Sequence, residues 1–379
     1  MNNASNASLT HVDQKEGTVD GITTLRSIQE TVAFGTLLGV IIVITIVGNA
    51  LVLVSFITER KLRILINYPI ISLALTDFLL ATVVLPFSAI YTATFNFPLG
   101  AIWCNIYISF DVMLCKASIW NITAVSIDRY IAVTWPMEYR QHINKRKVLI
   151  GLVTIWFFAA VTAFIPIYLG WNTKDGLIQN MNQYESQSCY LAVENLSYSI
   201  VLLLTDFVIP LIVLLFTYVQ VLVIARRQAK LIKPHYTNIC GEVPTLNTKE
   251  LKATIMLSAV IATYLVCWIL YMVTFAIKPF ISHMDTNLDL TALWLGYLNS
   301  TANPFVYAVT HSKFRRAFTK LLCPKSLCFC CYNGEESSLD SWGTFAPTNA
   351  SLPPIINVTN GNTIALKSLK DVEPSGTSV

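Results

Sequence analysis

The chain has 379 residues, of which 54% are hydrophobic and only 13% charged, about half the share usual in soluble globular proteins. Too few polar side chains remain to cover a water-facing surface of two or three domains, so the composition excludes an ordinary soluble protein and points to lipid as the solvent. The net charge of +4 is small, and its distribution along the chain carries more information than its size.

Residues 1–31 are polar and show neither the short apolar region nor the small-residue cleavage site of a secretory signal, so the first apolar segment is expected to direct the chain to the membrane. Seven apolar segments follow, near 32–57, 67–91, 101–133, 148–169, 198–225, 251–277 and 288–309. Each is long enough to cross a hydrocarbon core of roughly 30 Å as a helix. Backbone exposed to lipid must satisfy its own hydrogen bonds, so the spans are helices. Residues 312–322 read as a short amphipathic eighth helix, and 323–379, rich in Ser, Thr, Asn and Pro, as a disordered tail. The expected fold is an all-α membrane protein, a seven-helix bundle over 32–311.

Lys and Arg concentrate after the first, third, fifth and seventh segments, whereas the N-terminus and the opposite loops hold only Lys15, Arg26, Lys174 and Lys278. That bias puts the N-terminus outside and the C-terminus inside. Asn3, Asn6 and Asn195 then head glycosylation sequons on the outer side. Cys104 and Cys189 are the only cysteines placed outside, which predicts a disulfide between the third span and the second outer loop. Cys323, Cys328, Cys330 and Cys331 follow the amphipathic stretch as palmitoylation candidates. The terminal Thr377, Ser378 and Val379 resemble a ligand for a PDZ groove.

Ionisable side chains within spans are costly, so they are functional candidates: Asp77, Asp111, Lys116, Asp128, Arg129 and Asp206. Around them stand Gly48-Asn49, Leu73-Ala74-Leu75-Thr76-Asp77, Trp103-Cys104, Asp128-Arg129-Tyr130, Trp156, Pro210, Cys267-Trp268 and Asn303-Pro304-Phe305-Val306-Tyr307. In this order, each on its own span, they resemble the rhodopsin-like (class A) G-protein-coupled receptors. The resemblance implies a heterotrimeric G protein as partner, with arrestin and receptor kinases acting on the tail. It implies an inactive-state clasp of Asp128 and Arg129 with Glu250, an activation path through Tyr130, Tyr218, Asn303, Pro304 and Tyr307, and a G-protein contact at Met137. It also implies a sodium ion at Asp77 with Ser118, Asn299, Ser300 and Asn49, whose oxygen atoms suit a hard cation. No other cofactor is expected, and no enzyme: no acid–base pair, metal spacing or nucleophile constellation appears.

Asp111 lies seven residues past Cys104, about 10 Å inward, and Arg129 a further 18, about 27 Å, at the opposite face. A carboxylate in that outer pocket calls for a protonated amine, with Tyr297 as its hydrogen-bond donor and Trp268, Tyr271 and Trp294 as aromatic walls. This set resembles the biogenic-amine group. Local runs such as Leu85-Pro86-Phe87-Ser88-Ala89-Ile90-Tyr91 and Leu293-Trp294-Leu295-Gly296-Tyr297 resemble the histamine receptors of the second type, which implies histamine and the stimulatory, cyclic-AMP-raising G protein. Trace-amine, octopamine and serotonin receptors, an orphan receptor and, further off, a transporter are the alternatives.

Three departures stand out. The upper ligand position of the fifth span is Leu202, and the acid is Asp206, one turn deeper beside Thr205. Lys116 replaces a small polar residue on the face of the third span toward the fifth. Two unpartnered charges in a membrane would each be expensive, so Lys116 and Asp206 are expected to pair across the pocket floor. In the sixth span Leu270 stands where the family carries proline, and the covalent cause of a kink is missing.

Overall fold

The computed structural model describes residues 27–181, 189–240, 248–281 and 284–322. The expectations at Asn3, Asn6, Cys323, Cys328, Cys330, Cys331, Thr377, Ser378 and Val379, and for the tail 323–379, fall outside the described residues. The described chain is helical. α1 (Ile28–Thr58) forms the first span; α2 (Tyr68–Leu79) and α3 (Leu85–Thr94) form the second; α4 (Gly100–Thr134) is the third. α5 (Pro136–His142) lies in the following loop and α6 (Lys145–Tyr168) is the fourth span. α7 (Leu196–Leu203) and α8 (Ile209–Cys240) form the fifth, α9 (Thr248–Ile277) the sixth and α10 (Thr286–Thr310) the seventh. α11 (Ser312–Leu322) matches the expected amphipathic helix, with Phe314, Ala317 and Phe318 buried beneath its basic residues.

Local chemistry sets several boundaries. Ser27 and Glu30 form a reciprocal capping box that starts α1. Asn144 caps α6, Asn195 caps α7 through its Oδ1, and Asp285 caps α10. The second and fifth spans are each interrupted by a π turn, at Leu80–Val84 and Leu204–Val208. The cause lies just downstream. Pro86 and Pro210 lack an N–H, and their rings clash with the carbonyls of Thr82 and Asp206 four residues back, so the helix widens by one residue. In the sixth span α9 runs as one α-helix through Leu270.

The bundle buries polar side chains within an apolar core and turns large apolar side chains outward. Asn49, Asp77, Asn121 and Tyr297 are fully buried, whereas Val47, Phe157, Val266 and Phe305 stand more than half exposed on the outer faces. An apolar surface on that scale is what lipid, not water, would solvate. Among the described residues, six helices are long and apolar enough to cross a membrane by length and composition alone. α10 is long but less apolar than the sequence reading supposed, because Asp289, Asn299, Ser300 and Asn303 interrupt its hydrophobic run. Asn299, Ser300 and Asn303 are buried against the bundle, so protein solvates them.

Interhelical hydrogen bonds tie the spans together. Asn49 Nδ2 donates to the Ser300 carbonyl at 3.1 Å, Thr45 and Thr301 share a hydroxyl contact at 2.7 Å, and Trp156 Nε1 donates to Ser72 Oγ at 3.0 Å. Cys104 and Cys189 form the expected disulfide. Gly48 permits the close approach of α1 to α10, since a Cβ there would lie 2.9 Å from Pro304 Cγ. Gly48→Ala is therefore expected to lower the stability of the detergent-solubilised protein by about 1–3 kcal/mol through overpacking. Gly39→Ala, with nothing within 4 Å of the added carbon, should not lower it. Thermal unfolding of the two variants side by side checks this contrast.

Candidate ligand pocket and polar core

Asp111 sits on α4 and faces α10. Its Oδ1 accepts from the Tyr297 hydroxyl at 2.9 Å and from Cys115 Sγ at 3.4 Å. Behind Tyr297, the Trp294 ring packs edge-on at 5.4 Å, and its N–H donates to Thr92 Oγ1 at 2.8 Å. Trp294 lines neither cavity described below: a buried indole needs a partner for its N–H, and Thr92 draws it to the second span. It orients Tyr297 rather than walling the pocket, which corrects the sequence reading.

Asp111, Cys115, Lys116, Asp206, Trp268 and Tyr271 are among the residues around an inner cavity of about 40 Å³. A wider vestibule of about 430 Å³ shares Asp111, Leu191, Tyr271 and Leu293 with it and adds Glu194 and Asp289. Trp268 and Tyr271 form the expected aromatic wall, their ring centroids 5.7 Å apart. Phe207 completes it at 5.8 Å from Trp268 and 6.0 Å from Tyr271, and Phe275 follows at 5.9 Å from Tyr271. Neither phenylalanine was singled out from sequence. Phe275 was within reach, because 268, 271 and 275 share one helical face.

The pocket floor holds the predicted pair. Lys116 Nζ lies 3.1 Å from Asp206 Oδ1, with the two side chains 1% and 11% exposed. Lys116 also donates to Thr162 Oγ1 on α6 at 2.9 Å, and Thr205 donates to Asp206 Oδ1 at 2.9 Å. Thr205 thus serves the acid, not the cavity surface. Leu202 lines the cavity with no polar group to offer.

Deeper in the bundle, Asp77 Oδ1 accepts from Ser118 at 2.9 Å and Ser300 at 2.8 Å, and Oδ2 accepts from Asn303 Nδ2 at 2.7 Å. Asn303 therefore belongs to the Asp77 cluster as well as to the motif in which it was read. The Oδ1 atoms of Asn49 and Asn299 are buried and have no hydrogen-bond partner among the described residues. Two unpartnered amide oxygens in a region with a buried carboxylate and two hydroxyls fit the coordination chemistry of a hard monovalent cation.

At the inner face, Asp128 and Arg129 each have a partner among the described residues. Asp128 Oδ1 accepts from the Tyr139 hydroxyl at 2.8 Å, and Arg129 donates to the Ile66 carbonyl at 2.8 Å. Burial, and then the hydrogen bond to Asp128, push the Tyr139 phenol well above its ordinary range, so it remains a donor at physiological pH. The Glu250 side chain lies outside the described residues. Tyr130 packs edge-on against Trp135 and Phe216, Tyr307 is buried against Phe314, Tyr218 packs at the edge of the core, and Met137 is exposed.

Comparison with known proteins agrees with this arrangement. The family described as 7 transmembrane receptor (rhodopsin family) matches residues 48–307. The histamine H2 receptor of Rattus norvegicus is 37% identical over 329 residues, covering 86% of this chain and 88% of that receptor. That of Canis lupus familiaris is 39% identical over 322 residues, covering 84% and 86%. The octopamine receptor beta-1R of Drosophila melanogaster is 33% identical over 312 residues, covering 76% and 60%. The chain therefore belongs to the rhodopsin family of seven-transmembrane receptors, as a multi-pass G-protein-coupled receptor and not an enzyme.

Proposed function

We propose that this receptor stands in the plasma membrane with its N-terminus outside, binds a protonated biogenic amine at Asp111, and signals through the stimulatory G protein to raise cyclic AMP. Histamine is the leading candidate. The observation that carries the reading is the Asp111 carboxylate, reachable from the vestibule and held by the Tyr297 hydroxyl at 2.9 Å. A carboxylate in so dry a site is stabilised by a cation that also donates hydrogen bonds, which an ammonium does. The aromatic rings of Trp268 and Tyr271 add cation–π attraction. Similarity to receptors named for histamine H2 over most of their length supports the choice of histamine. Octopamine is the second reading, favoured by the Drosophila relative.

The same reading assigns the inner face to the G protein. Ligand contact with Trp268 and Tyr271 would bias α9, and its outward movement would open a cavity beside Arg129. Asp128, Arg129, Tyr130, Tyr218, Glu250, Asn303, Pro304 and Tyr307 form the proposed switch. Asp77, Ser118, Asn299 and Ser300 would hold sodium. Sugar at Asn3, Asn6 and Asn195, palmitate at Cys323, Cys328, Cys330 and Cys331, and arrestin, kinase and PDZ contacts through the tail complete the proposal.

Expression in cells, a panel of amines, and cyclic-AMP and calcium readouts test it. Histamine is expected to raise cyclic AMP, Asp111→Ala to be silent at equal surface expression, and Tyr297→Phe to lose roughly 10-fold in potency, as for one hydrogen bond to a charged group. A flat response to every amine overturns the ligand reading. For the inner core, replacing choline by sodium in the medium should weaken agonist binding roughly five-fold or more. Asp77→Asn should abolish that difference, and a sodium effect that survives in the variant rules the site out.

A further inference from the structure

The second outer loop holds two buried amides that the reading of the pocket does not use. Gly170 and Gly176 take positive φ values of 67° and 71°, and Thr173 Oγ1 donates to the Leu177 carbonyl at 2.8 Å, so the chain after α6 folds back on itself. The fold brings Asn172 beside Gln179, and Asn172 Nδ2 donates to Gln179 Oε1 at 2.6 Å. Together the two side chains engage both backbone polar groups of Ala192. Its N–H donates to Gln179 Oε1 at 2.8 Å, and its carbonyl accepts from Asn172 Nδ2 at 3.1 Å. The Asn172 carbonyl accepts from the Glu194 and Asn195 N–H groups at 3.1 and 3.2 Å. α4 anchors the assembly: Asn105 Nδ2 donates to the Gln179 carbonyl at 2.8 Å, and the neighbouring Cys104 carries the disulfide to Cys189. Asn105, Asn172, Gln179 and Ala192 are all buried.

We propose that Asn172 and Gln179 are positioning residues for the amine site: they fix Ala192 and so hold Leu191 at the junction of vestibule and inner cavity, where it sets the rate at which an amine reaches and leaves Asp111. The inference rests on the reading of Asp111 as the ammonium site. Position gives the first reason. Among the described residues of this loop, Leu191 is the one that lines both cavities, and Asp111 lines both as well. Restraint gives the second. With the disulfide alone, the chain from Cys189 to the α7 cap at Asn195 could bow over a length of about 20 Å when extended. The amides leave only Tyr190 and Leu191 between two attachments, at Cys189 and at Ala192. The chemistry is also one-sided. Gln179 Nε2 and Asn172 Oδ1 have no hydrogen-bond partner among the described residues, so the clamp uses the oxygen of Gln179 and the nitrogen of Asn172. Two substitutions of the same size and charge therefore have opposite effects. Gln179→Glu keeps the acceptor, whereas Asn172→Asp removes the donor.

Cys115 supplies the reporter, because its Sγ lies 3.4 Å from Asp111 Oδ1 and the residue lines the inner cavity. The full-length receptor in intact cells is treated with trimethylammonium-ethyl methanethiosulfonate, a membrane-impermeant cation that forms a disulfide with a thiol and releases methanesulfinate. Modification of Cys115 over time is followed by mass spectrometry of its peptide, with Cys115→Ser as the blank. Gln179→Met, which loses the acceptor, and Asn172→Asp are expected to raise the rate about 10-fold or more, and Gln179→Glu to stay within about 3-fold of wild type. Leu191→Ala breaks no hydrogen bond and should raise the rate as Gln179→Met does. Because the amides act through Leu191, the two changes combined should stay within about 2-fold of the larger single effect. A wild-type rate in Leu191→Ala overturns the proposal even where the amide variants fail to fold, and so do effects that multiply in the combined variant. Saturating histamine, added first, should slow the modification of wild type by occupying Asp111. Protection by histamine with equal rates in all variants overturns the positioning role and leaves the Asp111 reading in place. Variant effects without protection overturn the assignment of histamine to Asp111 and leave the positioning of Leu191 standing.

Discussion

The structure depends on one constraint: in a hydrocarbon solvent, every polar group that enters must find its partner within the protein. Asp77, Asp111, Lys116 and Asp206 all sit within spans, and each is met by a side chain from another span. Tyr297 serves Asp111, Asp206 and Thr162 serve Lys116, and Ser118, Ser300 and Asn303 serve Asp77. These contacts join the third span to the second, fourth, fifth and seventh. The positioning of the helices and the making of the pocket are therefore one event, because the residues that bring the spans together are the residues that line or support the cavity.

Prolines adjust this frame at two points. The π turn before Pro210 occupies Leu204–Val208, so Thr205, Asp206 and Phe207 all lie within a widened turn. In a regular helix these three consecutive residues would fan out by about 100° each. Here Asp206 and Phe207 both line the inner cavity, and Thr205 turns back to Asp206. The polar group and the aromatic wall thus come from adjacent residues, an arrangement with a covalent cause two to four residues downstream.

Much of this was legible in the sequence because the membrane simplifies the physics. Apolar length marks the spans to within a few residues, the cost of an unpaired charge brings Lys116 to Asp206, and the resemblance to the amine receptors brings Tyr297 to Asp111. What was not legible depends on competition between partners at similar cost. Trp294 was read as a wall because its ring is large, yet its N–H draws it to Thr92. Arg129 donates to the nearby Ile66 carbonyl, a backbone partner that no side-chain motif announces. The widened turns were missed because hydropathy does not register a missing N–H. The seventh span looked more apolar than it is, since its long hydrophobic run hides polar residues that point inward.

The Lys116–Asp206 pair poses an energetic question that packing does not answer. Each buried ion loses several kcal/mol of hydration after relaxation, and an apolar pair of similar volume is often as stable or more so. Pairing, the Thr162 and Thr205 hydroxyls and the Phe158 face offset that loss, but they give no advantage over leucine or methionine at the same positions. Stability therefore does not explain why a lysine and an aspartate stand here. The pair does line the cavity beneath Asp111. A second acid alone would make the floor a site for a cation, and an apolar floor would read only shape. The lysine offsets the acid's charge, so the floor adds no net charge to that of Asp111.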